Sequence, residues 1–348
     1  MKVLIINQAE VRQLLPIDEC MEAMAEALTA LSHGKAINPL RQVLHLPDRR
    51  GLLGIMPGYL AGLNAVGLKV VSVFHNNKGT QHDSHQGAVL VFEAEHGCLQ
   101  AMVDASAITA IRTAAVSGVA TRLLAREDAG DLAILGSGVQ AHAHFDAMLA
   151  ARNIGRVRIW SPNVEHVQAF ARNICEKREI EVTAMNTALE AVKGADIVCT
   201  TTSAHEPVLM GEWLTPGVHI NAVGSSIPLA RELDTDAVVK ARLFVDRRES
   251  TINEAGDYLI PKQEGIIGDH HIQGEIGEIL AGQIVGRRNA QEITLFKSLG
   301  LAVEDIASAN LVYQKAVQRD LGTWVEFGGD RQITIENRSG SAGKSVVS

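Results

Sequence analysis

The chain has 348 residues, 46% of them apolar, with 32 Lys and Arg against 40 Asp and Glu and a formal net charge of −8. That length and apolar content suffice for two domains with a core in each. The acidic balance excludes a polyanionic partner such as nucleic acid, which needs a basic face, and leaves a small molecule as the expected ligand.

The opening "MKVLIINQAEVRQLL" lacks the long uncharged core and small-residue cleavage site of a secretory signal, and no stretch approaches twenty apolar residues. A cytoplasmic protein without membrane contact is therefore expected. Cys20, Cys98, Cys175 and Cys199 are scattered without a CxxC pair, as reduced structural thiols are. Next, "PIDECMEAMAEALTALSHGK" carries apolar residues at helical spacing up to Gly34. Strand-like runs follow in "PLRQVLHLP", "GLLGIMPGYL", "VGLKVVSVF" and "GAVLVFEAEHGCLQAMVD", the last turning on "EHG" as a hairpin. A mostly antiparallel sheet of few strands exposes edges and an apolar face, so a homodimer through this sheet is expected.

Three basic residues in this half stand out. The strand period sets Lys69 on the face of Val71 and Val73, where a solvent-facing lysine is out of place and needs a partner. Arg112 interrupts "SAITAIRTAAVSGVA", a helix of small and apolar residues, and burying an unpaired guanidinium is costly enough to require an anion. Arg41 in "NPLRQVL" is the third. An internal salt bridge explains each one singly. Together, in a domain facing a dinucleotide site, they read as a clamp for a carboxylate-bearing substrate.

From residue 131 strands and helices alternate: "LAIL", a helix after Gly138, "VRIWS", "NVEHVQAFARNICEK", "EVTAM", "ALEAVKG", "DIVCTTT", "VHINAVG" and "RLFVD". The fold class is therefore α/β, with a Rossmann-type doubly wound parallel sheet preceded by an α+β domain. The alternation begins with "DLAILGSGVQA", in which Gly136 and Gly138 let the backbone approach a pyrophosphate and the amides around Val139 and Gln140 donate to it. The second strand ends at "RIWSPN", where Ser161, Pro162 and Asn163 replace both the acid that binds the NAD ribose and the base that binds the NADP phosphate. Either NAD(H) or NADP(H) is expected. Thr202 in "TTTS" and Val223, Gly224 and Ser226 in "NAVGSS" lie at the carboxyl ends of predicted strands, where open α/β sheets bind ligands, although simple turn chemistry also explains them. A strand "EITLF", a helix from Val303 to about Leu321 and a small, polar tail complete the chain. His75, His82 and His85, and His142 and His144, lack metal-ligand spacing, so no metal is expected, and the pair at 270–271 reads as exposed loop.

The segments "GLKVVSVF", "DSHQGAVLVFEAEHG", "ITAIRTAAVSGVAT", "LAILGSGVQA", "HINAVGSSIPLARELD" and "LFKSLGLAVEDIASA", in this order, resemble the ornithine cyclodeaminase and mu-crystallin family along nearly the whole chain. The resemblance implies a substrate and dimerisation domain over residues 1–118 with 304–330 and a Rossmann domain over 119–303; the small, polar composition of residues 331–348 marks them as a disordered tail. It implies Lys69 and Arg112 as catalytic residues, with Arg41 and Leu299 joining them in substrate binding. It implies cofactor contacts from Ser84, Arg112, Gly136, Gly138, Val139, Gln140, Ser161, Asn163, Thr202, Val223, Gly224, Ser226 and Ser298. Two departures matter: Ser226 stands where cyclodeaminases carry an aspartate, and Gly54 where they carry a glutamate. A serine is a poor acid or base near neutral pH, and "VGSSIPLARELD" is similar to the ketimine-reductase branch. The activity so implied is NAD(P)H-dependent reduction of an imine next to a carboxylate to give an amino acid, reversible as an amino-acid dehydrogenase. Deaminating cyclisation, or cofactor-dependent ligand binding without catalysis, are the alternatives.

Overall fold

The computed structural model describes residues 1–48, 50–77, 80–175 and 180–329; the tail read as disordered lies outside them. Two eight-stranded sheets organise the described chain. The first begins with a strand that the sequence reading did not anticipate, β1 (Lys2–Ile6), followed by α1 (Gln8–Leu14) and α2 (Ile17–Ser32). The apolar stripe of α2, including Met21, Met24 and Leu28, is buried at its helical spacing. Then come β2 (Ala36–Ile37), β3 (Gln42–His45), β4 (Leu52–Leu60), β5 (Ala65–Val73), β6 (His85–Glu93) and β7 (Leu99–Asp104). Strands β4 to β7 pair antiparallel with their sequence neighbours, β6 and β7 across the predicted turn, while β1 pairs parallel with β7.

Asp104 caps α3 (Ala105–Leu124), its carboxylate accepting the Ala107 amide at 2.7 Å. This helix has the length and mean hydropathy of a membrane span, although Arg112, Arg122 and several Ser and Thr keep it from being a run of apolar residues. Its apolar window is 78% buried inside the protein, which marks it as a core helix.

The second sheet contains β8 (Asp131–Leu135), β9 (Arg156–Trp160), β10 (Glu181–Ala184), β11 (Ile197–Thr200) and β12 (His219–Ala222), with α4 (Val139–Ala151), α5 (Val164–Cys175) and α6 (Ala188–Val192) between them. After α7 (Thr235–Lys240) and β13 (Arg242–Val245), the chain forms α8 (Arg248–Glu254), α9 (Gly256–Gln263), β14 (Ile272–Glu275) and α10 (Ile276–Leu280) before β15 (Thr294–Lys297). The sequence reading left residues between 247 and 291 unassigned, because elements this short span too few turns to show a period. Within that region both histidines of the pair lie in a short 3-10 helix, not a loop; His270 is exposed as expected, but His271 is half-buried, its Nε2 2.8 Å from the Val238 carbonyl oxygen. The sheet order is β10-β9-β8-β11-β12-β15-β13-β14 and every pair is parallel. The chain reverses direction across the sheet between β8 and β11, the switch point at which such sheets bind ligands.

The last helix, α11 (Ala302–Gln318), returns to the first sheet, and β16 (Thr323–Glu326) completes that sheet beside β1. Helix α11 lies directly on β4 and β5 because Gly58 and Gly67 face it. A Cβ at either would sit 2.9 Å or 2.5 Å from the Ile306 side chain. This close approach sets residues 304 and 305 over Lys69, whose face of the sheet is covered by protein. On the opposite face Leu53, Val70, Ala88, Leu90 and Met102 line an open hollow of about 470 Å³.

Candidate active site

At the end of β8, Gly136 has φ +123°, and a Cβ there would lie 2.6 Å from Thr201 Oγ1. Only glycine allows this turn to press against the loop after β11. A Cβ at Gly138 would meet nothing within 4 Å, so the N-terminus of α4 opens on free space. Val139 at that terminus is 63% exposed. Two polar atoms at the carboxyl end of the sheet, Gln140 Oε1 and Ser298 Oγ, are buried without a hydrogen-bond partner among the described residues. One orphaned polar atom in the first turn of the helix that follows the glycines, and a second past the end of β15, fit a ligand as extended as a dinucleotide. Past β9, Ser161 Oγ lies 2.8 Å from Ser137 Oγ, and Asn163 Oδ1 accepts the His166 amide at 3.1 Å in the first turn of α5.

The loops after β11 and β12 are tied together by residues that the sequence reading missed. Glu232 is fully buried and accepts from Thr200 Oγ1, the Thr202 amide and hydroxyl, and the Gly224 amide, at 2.6–2.7 Å. Burial, with Asp257 nearby, raises its carboxyl above the ordinary range. Asp257 holds the Glu232 and Leu233 amides at 2.8 and 3.0 Å and pairs with Lys297 Nζ at 3.0 Å. Lys297 also donates to the carbonyls of Ala222 and Ser225. Thr202 and the Val223–Ser226 turn are thus held by one buried ionic network. Ser226 is exposed, and Ser225 is turned inward onto the Ala230 carbonyl.

The three basic residues converge beside the turn after β15. Arg112 Nε donates to Asp305 Oδ1 and its Nη1 to Glu304 Oε2, both at 2.8 Å, while Lys69 Nζ pairs with Asp305 Oδ2 at 2.7 Å. Arg112 Nη2 takes part in neither of these bonds. Arg41 pairs with Glu254 at 2.9 Å and its Nη2 donates to the Leu299 and Gly300 carbonyls at 2.8 and 3.1 Å. Asp246, at the end of β13, holds the amides of the same two residues. Gly300 has φ +80°, and a Cβ there would collide with the Arg112 guanidinium. The amide of Ser298 in turn bonds the Ala222 carbonyl at 3.0 Å, so this one turn joins the cationic cluster to the loops at the switch point. Ser84 is not joined to either group: its hydroxyl meets His85 Nδ1 at 3.0 Å. Burial pulls Lys69 down to about 8, against the opposing effect of Asp305. His144 bridges the Gln140 carbonyl and Ser117 Oγ at 2.8 and 2.9 Å, linking α4 to α3, and burial pulls it down to about 4, so it is neutral at physiological pH.

A doubly wound sheet with such a cradle, opening beside a buried cationic cluster, is the arrangement of a dinucleotide-dependent oxidoreductase. The chain belongs to the ornithine cyclodeaminase/mu-crystallin family, which it matches over residues 1–320. It is 39% identical over 326 residues to a Δ1-pyrroline-2-carboxylate reductase of Bacillus cereus, covering 93% of this chain and 100% of that protein. It is 40% identical over 280 residues to the ketimine reductase mu-crystallin of Mus musculus, covering 80% of this chain and 85% of that protein. The solved Δ1-pyrroline-2-carboxylate reductase of Thermococcus litoralis, in complex with NADH and L-proline, superposes with a TM-score of 0.90 at 39% identity, covering 92% of this chain and 99% of that one.

Proposed function

We propose that this protein reduces a cyclic imine bearing an adjacent carboxylate, of the Δ1-pyrroline-2-carboxylate class, to the corresponding amino acid with NADH or NADPH. The observation that carries the reading is the buried cationic cluster at the turn joining it to the switch-point loops. The relatives support it, since the named activities of both reductases act on C=N bonds. Arg112 holds the substrate carboxylate through Nη2, Arg41 holds the turn of Leu299 and steadies the carboxylate from its other side, and Lys69 protonates the imine nitrogen. Gly136, Gly138, Val139 and Gln140 hold the pyrophosphate, Ser161 and Asn163 the adenosine ribose, and Thr202, Val223, Gly224, Ser226 and Ser298 the nicotinamide half. Ser84 is placed with them on the family resemblance alone. The cofactor supplies the hydride to the imine carbon, and the protein supplies placement and the proton. The test is loss of the near-ultraviolet absorbance of the reduced cofactor across a panel of five- and six-membered cyclic imino acids, linear imino acids, and keto acid with amine. Turnover with none of them overturns the reading. Ammonia release from ornithine without net cofactor consumption would favour the cyclodeaminase.

Three expected results accompany this reading. With Ser161, Pro162 and Asn163 in place of an acid or a base at the end of β9, NADH and NADPH give kcat/KM values within about a hundredfold of each other, the equivalent of about 2.8 kcal/mol. A ratio above about a thousandfold would show that another residue reads the ribose. Ser226→Asp leaves imine reduction unimproved, since a carboxylate at the nicotinamide end repels the substrate's own; a several-fold gain in steady-state rate would contradict this. The third concerns assembly: the uncovered sheet face of Val70, Ala88, Leu90 and Met102 supports a homodimer, read as twice the chain mass by light scattering at micromolar concentration. The free thiols of Cys20, Cys98 and Cys199 support a cytoplasmic location for the dimer.

A further inference from the structure

The cationic cluster carries an excess of negative charge before any substrate arrives. Arg41, Lys69 and Arg112 face Asp246, Glu254, Glu304 and Asp305. A substrate carboxylate adds another negative charge to a buried site, which is strongly unfavourable unless a proton enters with it. The hydrogen bonds and ion pairs together tell the four acids apart. Asp305 uses one oxygen for Arg112 and the other for Lys69. Asp246 accepts the Arg247 amide on Oδ1 and the Leu299 and Gly300 amides on Oδ2. Glu254 pairs with Arg41, with its side chain 15% exposed. Glu304 is fully buried and takes both Arg112 Nη1 and the Leu301 amide on Oε2, leaving Oε1 without a partner among the described residues. The groups facing it are Arg112 from α3, Asp246 from the end of β13, Asp305 on its own helix with Lys69 of β5 behind, and the Cys20 thiol of α2, which burial pushes up to about 12.

We propose that Glu304 is the charge-compensating residue of the site: it takes a proton from solvent onto Oε1 when a substrate carboxylate docks on Arg112, and so sets the pH dependence of substrate affinity. This rests on the reading of Arg112 as the carboxylate anchor. The new O–H bond breaks none of the contacts to Oε2, so Arg112 keeps its place while its positive charge passes to the ligand. Burial pushes the Glu304 carboxyl up to about 7 against the pull of Arg112, and Asp246 adds to the rise, so the residue is poised to change state at physiological pH.

The probe is pyrrole-2-carboxylate, a planar ring carboxylate without a reducible C=N bond, titrated calorimetrically into the enzyme with NADH in buffers of different ionisation enthalpy. As pH rises through about 7 the wild type takes up an increasing fraction of a proton on binding, and its Kd weakens with a slope that approaches tenfold per pH unit. Lys69, held near 8, keeps most of its proton below about 7.5, so the decisive window is about 6.5 to 7.5. In that window Glu304→Gln takes up far less proton than the wild type, shows a nearly flat Kd, and at about pH 7.5 binds about fourfold more tightly than the wild type. If the variant does not fold, infrared difference spectra of the wild type decide. A protonated-carboxyl band appears on binding and shifts when glutamate, not aspartate, is isotopically labelled. Binding without proton uptake, a slope that survives in Glu304→Gln, or a band that follows aspartate overturns the proposal while leaving Arg112 as the anchor. No binding at any pH overturns both.

Discussion

Arg112→Ala is expected to lower kcat/KM for imine reduction by about a thousandfold, with the dissociation constant of NADH changing far less. The guanidinium has two roles in the proposed site. Its Nε and Nη1 neutralise Asp305 and Glu304, both fully buried, and its Nη2 remains for the ligand. Truncating one partner of a buried, hydrogen-bonded charge pair costs about 2–5 kcal/mol in binding, which brackets that loss. The same truncation strands two carboxylates, so unfolding by denaturant should show about 3–5 kcal/mol less stability. Arg112→Lys keeps the charge without the fork that reaches two acids and a ligand, and its activity should fall between alanine and wild type. Steady-state kinetics, cofactor titration and a denaturant curve on the same preparations separate the effects. Near-normal kcat/KM in Arg112→Ala would leave the carboxylate without its anchor and remove the basis of the proposed reaction.

The strand and helix alternation from Asp131 was legible because β8 and β11 are short, mainly apolar runs buried along their length, and β9 and β12 alternate apolar residues with polar ones, each followed by a helix or a turn-forming loop. Strand β1 was not, since KVLII is too short to show a period and its partners are the distant β7 and β16. The need of Lys69 and Arg112 for anions was legible from their apolar neighbours. The identity of those anions was not, because Glu304 and Asp305 lie almost two hundred positions along the chain from Arg112, at the start of a helix where acids are ordinary. They meet only because Gly58 and Gly67 let α11 settle onto the sheet. Glu232, Asp257 and Lys297 were missed for a related reason. Each looks like a surface charge in its own segment, and only the packing of the loops after β11 and β12 brings them together.

Lys69→Met should produce a loss of about 10²–10⁴ in the reduction rate, the range for removing a positioned acid, together with loss of a pH signature that differs between the two directions of reaction. Methionine fills nearly the same buried volume without a charge, and Asp305 keeps its bond to Arg112, so the fold should tolerate the change better than Arg112→Ala. Reduction delivers a proton to the imine nitrogen and needs the ammonium form of Lys69. Burial holds that group near 8, well below an ordinary lysine. At neutral pH it is therefore charged, and a docked substrate carboxylate favours that form further, so kcat for reduction should be flat there and fall about tenfold per unit on the alkaline side. Oxidation of the amino acid runs the step backwards and needs the free amine. Its kcat should rise with pH and level off on the alkaline side. The use of kcat rather than kcat/KM keeps the titration of free substrate, and of Glu304 on binding, out of the measurement. Both profiles are measured at saturating substrate and cofactor for wild type and Lys69→Met. Limbs of opposite sign for the two directions in the wild type, missing in the variant, would identify Lys69 as the proton donor, and a variant that keeps both limbs would assign the proton to another group.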